Sequence, residues 1–211
     1  MSAKFKTLGA AALLILAALL AWLFMASTRP LPGEKALQDG RNHVPEGSKI
    51  DYQFNPPTSG DHYPSWITKG FYEETRLDGN LVHSQEHGYI IIWYNCEKKV
   101  IGYSGQWLVK TVNAQGIGMT QGSEGSASAK LSDMPKSFSD GSCDNLKKDL
   151  KDLYQKFGPH KIIIMPRVGL NSPIILTAWG RMEKLNNVDQ KKNKEFIDAY
   201  RDNGPEATNE Q

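Results

Sequence analysis

Cysteine is scarce in this sequence: among 211 residues there are only Cys96 and Cys143. The two stand too far apart along the chain to form a C-x-x-C redox motif. Two catalytic signatures are also missing. There is no G-x-S-x-G nucleophile elbow, and the glycine-rich stretch 116–125 lacks the lysine that a phosphate-binding loop needs. These absences argue against dithiol redox chemistry, serine hydrolysis of that type and P-loop nucleotide binding.

The sequence also lacks an excess of charge of either sign. It has 25 lysines and arginines and 23 aspartates and glutamates, a net charge of +2. Residues 1–29 hold three of the basic residues and no acidic one, so the rest of the chain has 22 basic and 23 acidic side chains. We therefore expect no nucleic-acid partner and no broad attraction to anionic lipid.

One long hydrophobic run is present near the N-terminus. Residues 8–25, LGAAALLILAALLAWLFM, carry no charge, and roughly 20 such residues cross a bilayer as a helix. Lys4 and Lys6 lie before the run. Positive residues at this position favour placing residues 1–7 in the cytoplasm. A cleaved signal peptide is the alternative, although its apolar core is usually only about 7–15 residues long. We predict a single-pass anchor in the cell membrane with the C-terminal part exported, to the periplasm or the cell exterior.

Composition divides the exported part, and export determines the expected state of its cysteines. Residues 26–48 are rich in proline, glycine and charge and are predicted to form a stalk and entry segment. The exported domain follows over residues 49–205, and residues 206–211 are a predicted disordered tail.

In an oxidising compartment two cysteines most simply form one disulfide, here Cys96–Cys143. Two free buried thiols, or two thiolate metal ligands, are the alternatives.

Three apolar runs of strand length predict a sheet. They are YIIIWY at 89–94, KIIIMP at 161–166 and PIILTAWG at 173–180. The short turn RVGLNS joins the last two and predicts a hairpin. The aromatic, turn-rich segment 52–66 is predicted to be an ordered loop. Residues 100–112 are predicted to form a further strand. Residues 120–130 are predicted to form a mobile loop.

Two helices follow from spacing and end signals. Asp144 is predicted to cap the first, whose leucines at 146, 150 and 153 recur at helical intervals before Gly158 and Pro159. The second runs from about Asp189 to Gly204. The pattern predicts an α+β fold: a small mixed sheet with a C-terminal β-hairpin and two flanking helices, preceded by an N-terminal transmembrane helix. A strand-helix-hairpin-helix order also occurs in the second half of thioredoxin-like folds, but the redox cysteine pair is absent.

Four of the five histidines occur before or at the start of the first long strand, beside turn residues; they are His43, His62, His83 and His87. His83 and His87 stand four residues apart, so one helical turn would place both rings on one face. On a strand they would lie about 13 Å apart, too far for one ion. A shared metal therefore requires a helical segment, which Asn80 could cap and Gly88 could end. The alternative is that these histidines only make structural hydrogen bonds.

Residues 83–87 also match H-x-x-E-H, the inverted zinc-peptidase signature. There the histidines bind zinc and the glutamate is the base. In this sequence Gly88 and the following strand would end the helix at once, which disfavours a peptidase. Glu86 is interpreted as a metal ligand, as a carboxylate supporting an imidazole, or as a surface side chain.

The motifs NPPTSGDH, LVHSQEHG and PIILTAWGR, in this order, resemble the bacterial family catalogued as domain of unknown function 3105. The segments GRNHVPEG and FIDAYRDNGPE are also similar to parts of that family. The resemblance implies an exported or membrane-tethered protein in which the four histidines occupy the family's histidine positions. It implies no substrate, and His160 matches none of the motifs.

We expect a membrane-anchored, exported protein that binds a metal ion, with copper favoured over zinc because imidazole sites bind Cu(II) more tightly. The candidate ligands are His43, His62, His83, His87, Glu86 and, as a soft donor, Met165, whose other expected role is core packing. A metal-dependent hydrolase or oxidoreductase using the H-x-x-E-H segment is one alternative. A structural or assembly protein without metal is another. The pattern names no protein partner.

Overall fold

The computed structural model describes residues 3–27, 30–97, 143–206 and 208, and in the first helix the side chains of residues 13–25. The chain divides into two compact units, Met1–Leu31 and Pro32–Gln211. The strand predicted over residues 100–112 and the loop predicted over 120–130 lie outside the described residues. So does most of the predicted disordered tail.

The first unit contains helix α1, Ala3–Ser27. Alanine and leucine dominate its sequence, and both are strong helix formers. The helix expected over residues 8–25 is therefore confirmed. Within the described part of the chain, however, no helix has the length and apolarity that a membrane span requires. The membrane anchor over residues 8–25 stays a prediction.

The second unit is an α+β domain built on a mixed sheet, as predicted. In the described residues its helices are α2 (Asp78–Glu86), α3 (Asp144–Phe157) and α4 (Gln190–Tyr200). The strands are β1 (Glu34–Lys35), β2 (Gly70–Phe71), β3 (Ile90–Tyr94), β4 (Ile162–Pro166), β5 (Ile174–Ala178) and β6 (Arg181–Leu185). Their order in the sheet is β1-β6-β5-β3-β4-β2. The pairs β2–β4 and β3–β4 are parallel and the others antiparallel.

The three central strands are buried along their whole length and almost entirely apolar, because both faces of the sheet are covered. On one face, Ile90, Ile92 and Tyr94 of β3 belong to a core cluster with residues of α3 and α4. On the other face, Ile91 and Trp93 belong to a second cluster, to which α2 contributes Leu81. The second face of the sheet is therefore the one that supports α2.

The hairpin predicted from segments 161–166 and 173–180 is wrong. Strand β3 lies between β4 and β5 and pairs with both. The hairpin is formed by β5 and β6 instead, across a tight turn at Trp179 and Gly180, whose φ is +66°. An apolar run fixes that a strand is buried, but it does not fix which neighbour the strand pairs with.

The second unit begins earlier than the residue 49 that we expected. Strand β1 pairs with β6, and Ala36 is buried in the second core cluster. Residues 32–48 are thus part of the folded unit. The turn-rich segment 52–66 is ordered, as predicted, with buried side chains at Tyr52, Tyr63 and most positions from 56 to 62.

The predicted helix ends are partly correct. Gly158, at φ +75°, follows α3 as expected, but Cys143 rather than Asp144 holds the N-cap position. Asp189 caps α4 by accepting hydrogen bonds from two backbone amides. Helix α4 ends at Tyr200, before the predicted Gly204. The predicted disulfide is present: Cys96 and Cys143 are bonded, with their Cα atoms 5.4 Å apart.

Candidate metal centre

Helix α2 and its C-cap residue carry three of the candidate residues: His83, Glu86 and His87. The helix begins after Leu77 and ends at Glu86; His87 is its C-cap residue and is followed by Gly88 at φ +81°. Residues 83–87 therefore form one helical turn, the condition that a shared metal required. The rings of His83 and His87 lie side by side, with centroids 4.5 Å apart. Asn80 lies inside the helix and does not cap it, which corrects the sequence prediction.

The start of α2 is held by Arg167, the residue that follows β4. The guanidinium of Arg167 donates two hydrogen bonds to the carboxylate of Asp78, at 2.6 and 2.9 Å. Its Nε donates to Asn55 Oδ1 at 2.8 Å. Such a two-point contact fixes orientation as well as position. Arg167 thus connects the sheet, helix α2 and the ordered loop.

Two loop segments bring the other two histidines to this helix. His43 and His62 form a parallel β-bridge. Val44 N donates to His62 O at 2.8 Å, and His62 N donates to Asn42 O at 3.0 Å. The ring of His43 then lies 4.9 Å from His62 and 4.8 Å from His83, centroid to centroid. The His62–His83 distance is 4.9 Å. The three imidazoles form a nearly equilateral triangle.

A carboxylate completes the cluster. The side chain of Glu86 is 3% exposed, and its Oε2 lies 3.0 Å from Nε2 of His62. Its Oε1 accepts a hydrogen bond from Nε of Arg41. One donor atom from each of His43, His62, His83 and Glu86 lies within 4.8 Å of the others. Donors around one tetrahedral ion lie roughly 3.3–3.5 Å apart, so small side-chain movements would close this set, which we call the inner group.

The hydrogen bonds fix the tautomers of two imidazoles. Nδ1 of His62 lies 2.9 Å from Gly60 O, and Nδ1 of His83 lies 2.7 Å from Tyr63 O. A carbonyl oxygen only accepts, so Nδ1 carries the proton and each neutral ring presents the lone pair of Nε2. Metal-binding histidines usually have this support, one nitrogen donating to a carbonyl while the other binds the ion.

The contact between His62 and Glu86 needs a cation. Nε2 of His62 is buried and has no hydrogen-bond partner, although the carboxylate oxygen lies 3.0 Å away. With Nδ1 protonated, the lone pair of a neutral ring would face a carboxylate, and the two repel each other. A proton or a metal ion shared by these atoms removes the repulsion.

The electrostatic surroundings favour neutral imidazole at His83. Burial lowers the pKa of His83 below its ordinary value. The hydrogen bond to Tyr63 opposes this shift, whereas the neighbouring imidazoles of His87, His62 and His43 add to it. Neutral imidazole is the form that binds metal.

A second group of candidate ligands adjoins the first. It comprises His83, His87 and Glu206, and we call it the outer group. Nε2 of His83 lies 3.0 Å from Nε2 of His87, which in turn lies 3.6 Å from Oε2 of Glu206. The indole of Trp66 lies beside both rings, with centroids 5.5 Å from His83 and 5.0 Å from His87.

Not every predicted ligand joins these groups. Met165 is fully buried in β4 and belongs to the second core cluster, the packing role that we also expected. His160 lies apart, as expected, with Nε2 2.9 Å from Oδ1 of Asp202. Arg41 and Glu206 were not predicted from the sequence. Both lie in polar segments where neither spacing nor composition distinguishes them.

The comparison with protein families gives the family that the sequence resembles. A family model described as "Protein of unknown function (DUF3105)" matches residues 43–117 and 138–211. This chain belongs to the DUF3105 family. The matched residues include every member of the inner and outer groups of this DUF3105 protein. No curated protein and no solved structure matches it significantly.

Proposed function

We propose that this DUF3105 protein binds a metal ion through the inner group, His43, His62, His83 and Glu86. The observation that carries the proposal is the convergence of four donor atoms within 4.8 Å. Two of the rings are anchored through Nδ1 to backbone carbonyls, with Nε2 left as the donor atom. Purely structural histidines do not need three imidazoles and a buried carboxylate around one point.

Copper is the metal we favour, with zinc as the alternative. Three imidazoles and a carboxylate suit both ions, and in the usual affinity order Cu(II) binds such donors more tightly than Zn(II). The buried side chain of Glu86 contributes a negative charge, which offsets part of the ion's charge. This favours a divalent ion over Cu(I), which prefers sulfur donors.

Binding, storage or transfer of the ion fits the donor set better than catalysis. A catalytic ion keeps an open position for water or substrate. Four protein donors would fill a tetrahedral ion, and the carboxylate of Glu86 is held by Arg41 and faces His62. A hydrolase using Glu86 as base would need that carboxylate free to face a bound water. We therefore rank a metal-dependent enzyme second, and a metal-free structural protein third.

Metal analysis of the full chain tests the proposal. The protein would be purified in detergent without a metal-binding tag and titrated with Cu²⁺ and, separately, Zn²⁺. We expect one bound ion per chain and tighter binding of copper. The variant His83→Ala/His87→Ala should lose the ion. His160→Ala is the matched control, since this exposed histidine pairs with Asp202 outside both groups. Equally poor binding by the wild type and the double variant would refute the proposal.

We also propose that residues 8–25 anchor the chain in the membrane with the remainder exported. The support is the uncharged sequence of that run, the two lysines before it and the disulfide between Cys96 and Cys143, which is typical of oxidising compartments. Protease added to intact cells or spheroplasts should digest the C-terminal unit, and carbonate at high pH should leave the protein in the membrane pellet. Release by carbonate would exclude the anchor.

A further inference from the structure

His83 belongs to both groups of candidate ligands. It completes the inner group with His43, His62 and Glu86, and it completes the outer group with His87 and Glu206. The two groups therefore meet at one imidazole ring. An ion bound by either group would use a nitrogen of that ring.

Only one nitrogen of His83 is available to an ion. Nδ1 lies 2.7 Å from the carbonyl oxygen of Tyr63 and carries the proton of that hydrogen bond. Nε2 is then the sole lone pair that the neutral ring offers. In the present geometry, Nε2 of His87 donates to it at 3.0 Å. An ion in the outer group would take the place of this hydrogen between the two rings, and the displaced proton would move to Nδ1 of His87 or leave to solvent.

We infer that the two groups are alternative positions for a single metal ion, which exchanges between them while His83 stays bound. This rests on the proposed function, because it assigns a second position to the same metal centre. Two ions at once would need a doubly deprotonated His83 bridging them. Such a bridge would break the hydrogen bond to Tyr63 in the buried interior.

The outer group reaches solvent through Glu206, its one exposed member. The side chain of Glu206 is 47% exposed, whereas those of His62 and Glu86 are 0% and 3% exposed. A carboxylate at the rim attracts a cation from solution. Because of this charge, the outer group is the proposed entry and exit position, and the inner group is the proposed resting one.

The backbone holds Glu206 at this rim. Glu206 N donates to Glu86 O at 3.1 Å, so the C-terminal segment is bonded to the residue whose carboxylate belongs to the inner group. Asp202 N donates to Gly88 O at 3.0 Å. Lys161 Nζ, in turn, donates to His87 O at 2.8 Å. The end of α2 and the segment 202–206 thus form one hydrogen-bonded unit that places Glu206 beside His87.

His43 offers a competing route, because it is itself exposed and belongs to the inner group. An ion leaving past His43 would not contact Glu206. The two routes therefore predict different effects of removing the charge of Glu206.

The test uses the full chain loaded with Cu²⁺ and mixed with excess EDTA. The rate of copper loss is measured per bound ion. We expect one tightly bound equivalent in the wild type, and Glu206→Gln should slow the loss by about fivefold or more, the effect of one unit charge a few ångströms away near the aqueous limit. His87→Ala should slow it as well. Glu195→Gln is the control, because it removes an exposed carboxylate that lies on α4.

The outcomes separate the two proposals. Glu206→Gln and Glu195→Gln losing copper at equal rates would overturn the exchange path and favour release past His43. Two tight equivalents, or copper–copper coupling in the electron paramagnetic resonance spectrum, would also overturn it. In both cases the inner group would still bind metal. A wild-type chain that binds no copper or zinc would refute the proposed function itself.

Discussion

At the scale of single residues, the carboxylate of Glu86 is the most informative position in the cluster. It is buried, it lies 3.0 Å from Nε2 of His62, and it contacts Arg41. Glu86→Gln keeps the shape of the side chain and removes the charge. We expect it to weaken copper binding by about tenfold or more, measured by competition against a chelator of known affinity.

The control for this change is Glu183→Gln. Glu183 is a partly buried carboxyl on β6 that belongs to neither ligand group. Its replacement should leave the dissociation constant for copper unchanged. An equal affinity of Glu86→Gln and Glu183→Gln would mean that Glu86 is a structural carboxylate and that the ion is held by histidines alone.

Glu183 supports a separate prediction about pH. Burial raises its pKa above the ordinary value of 4.5; Lys192 opposes the shift, and Glu195 and Asp189 add to it. The native state therefore holds this proton more tightly than the unfolded state does. Ionisation of Glu183 then lowers the free energy of unfolding as the pH rises from about 4.5 through the raised pKa.

Glu183→Gln should remove this loss of stability. Urea unfolding of the metal-free protein, measured at a series of pH values above 4.5, gives the free energy of unfolding for wild type and variant. As the pH rises, the free energy of unfolding of the variant should increase relative to that of the wild type. Glu74→Gln, an exposed carboxylate near Arg76, should show no such gain. A constant difference between Glu183→Gln and wild type across this range would contradict the prediction.

The sequence was sufficient to find the histidines and insufficient to find their partners. His83 and His87 could be paired because helical spacing is local. His43 and His62 could be nominated because they occur in turn-rich motifs beside glycine and proline. Arg41 and Glu206 reach the cluster only through tertiary structure. Asn42, the neighbour of Arg41, is hydrogen-bonded to His62, and the segment that carries Glu206 is hydrogen-bonded to the end of α2. No local pattern encodes those contacts.

At the scale of elements, the end of α2 depends on a glycine. Gly88 has φ +81°, and a Cβ added there would lie 2.9 Å from backbone atoms of Asp202. Gly88→Ala therefore combines the left-handed backbone cost of about 1–2 kcal/mol with a collision that pushes away the segment carrying Glu206. We expect the loss of stability in urea to exceed about 2 kcal/mol.

Gly169→Ala is a matched control, since Gly169 has φ +70° and open space where an added Cβ would lie. This variant should lose only the stability that corresponds to the left-handed backbone cost of about 1–2 kcal/mol. The difference between the two variants then measures the packing of the C-terminal segment against α2. Equal losses would mean that the segment moves aside without cost and does not fix the outer group.

Other elements could be predicted from the sequence according to how local their signals are. Helices α3 and α4 have clear apolar faces, and β3, β4 and β5 are almost entirely apolar runs, so all five were found. Strands β1 and β2 have two residues each, too few for any pattern. Helix α2 is buried on nearly every side and therefore has no amphipathic stripe; only the spacing of its histidines indicated it. The order of strands depends on long-range pairing, which is why the hairpin was misplaced.

At the scale of the whole molecule, one covalent bond joins elements that are distant in sequence. Cys96 follows β3, and Cys143 is the N-cap residue of α3, at a sequence separation of 47. The chain-entropy model gives a stabilisation of about 4 kcal/mol for a loop of this length. Cys143 is also buried, and it packs in the first core cluster with Leu146.

We expect reduction of the disulfide to lower the free energy of unfolding by about 2–4 kcal/mol, measured in urea with and without reductant. Reduction removes the bond but leaves both sulfur atoms in place, so it isolates the effect of the cross-link from that of packing. Cys96→Ser should resemble the reduced wild type, because Cys96 is only partly buried. Cys143→Ser should lower the free energy of unfolding more than Cys96→Ser does, because it also places a hydroxyl in the core. Two titratable thiols in unfolded protein that was never reduced would contradict the bond and return both cysteines to the list of candidate metal ligands.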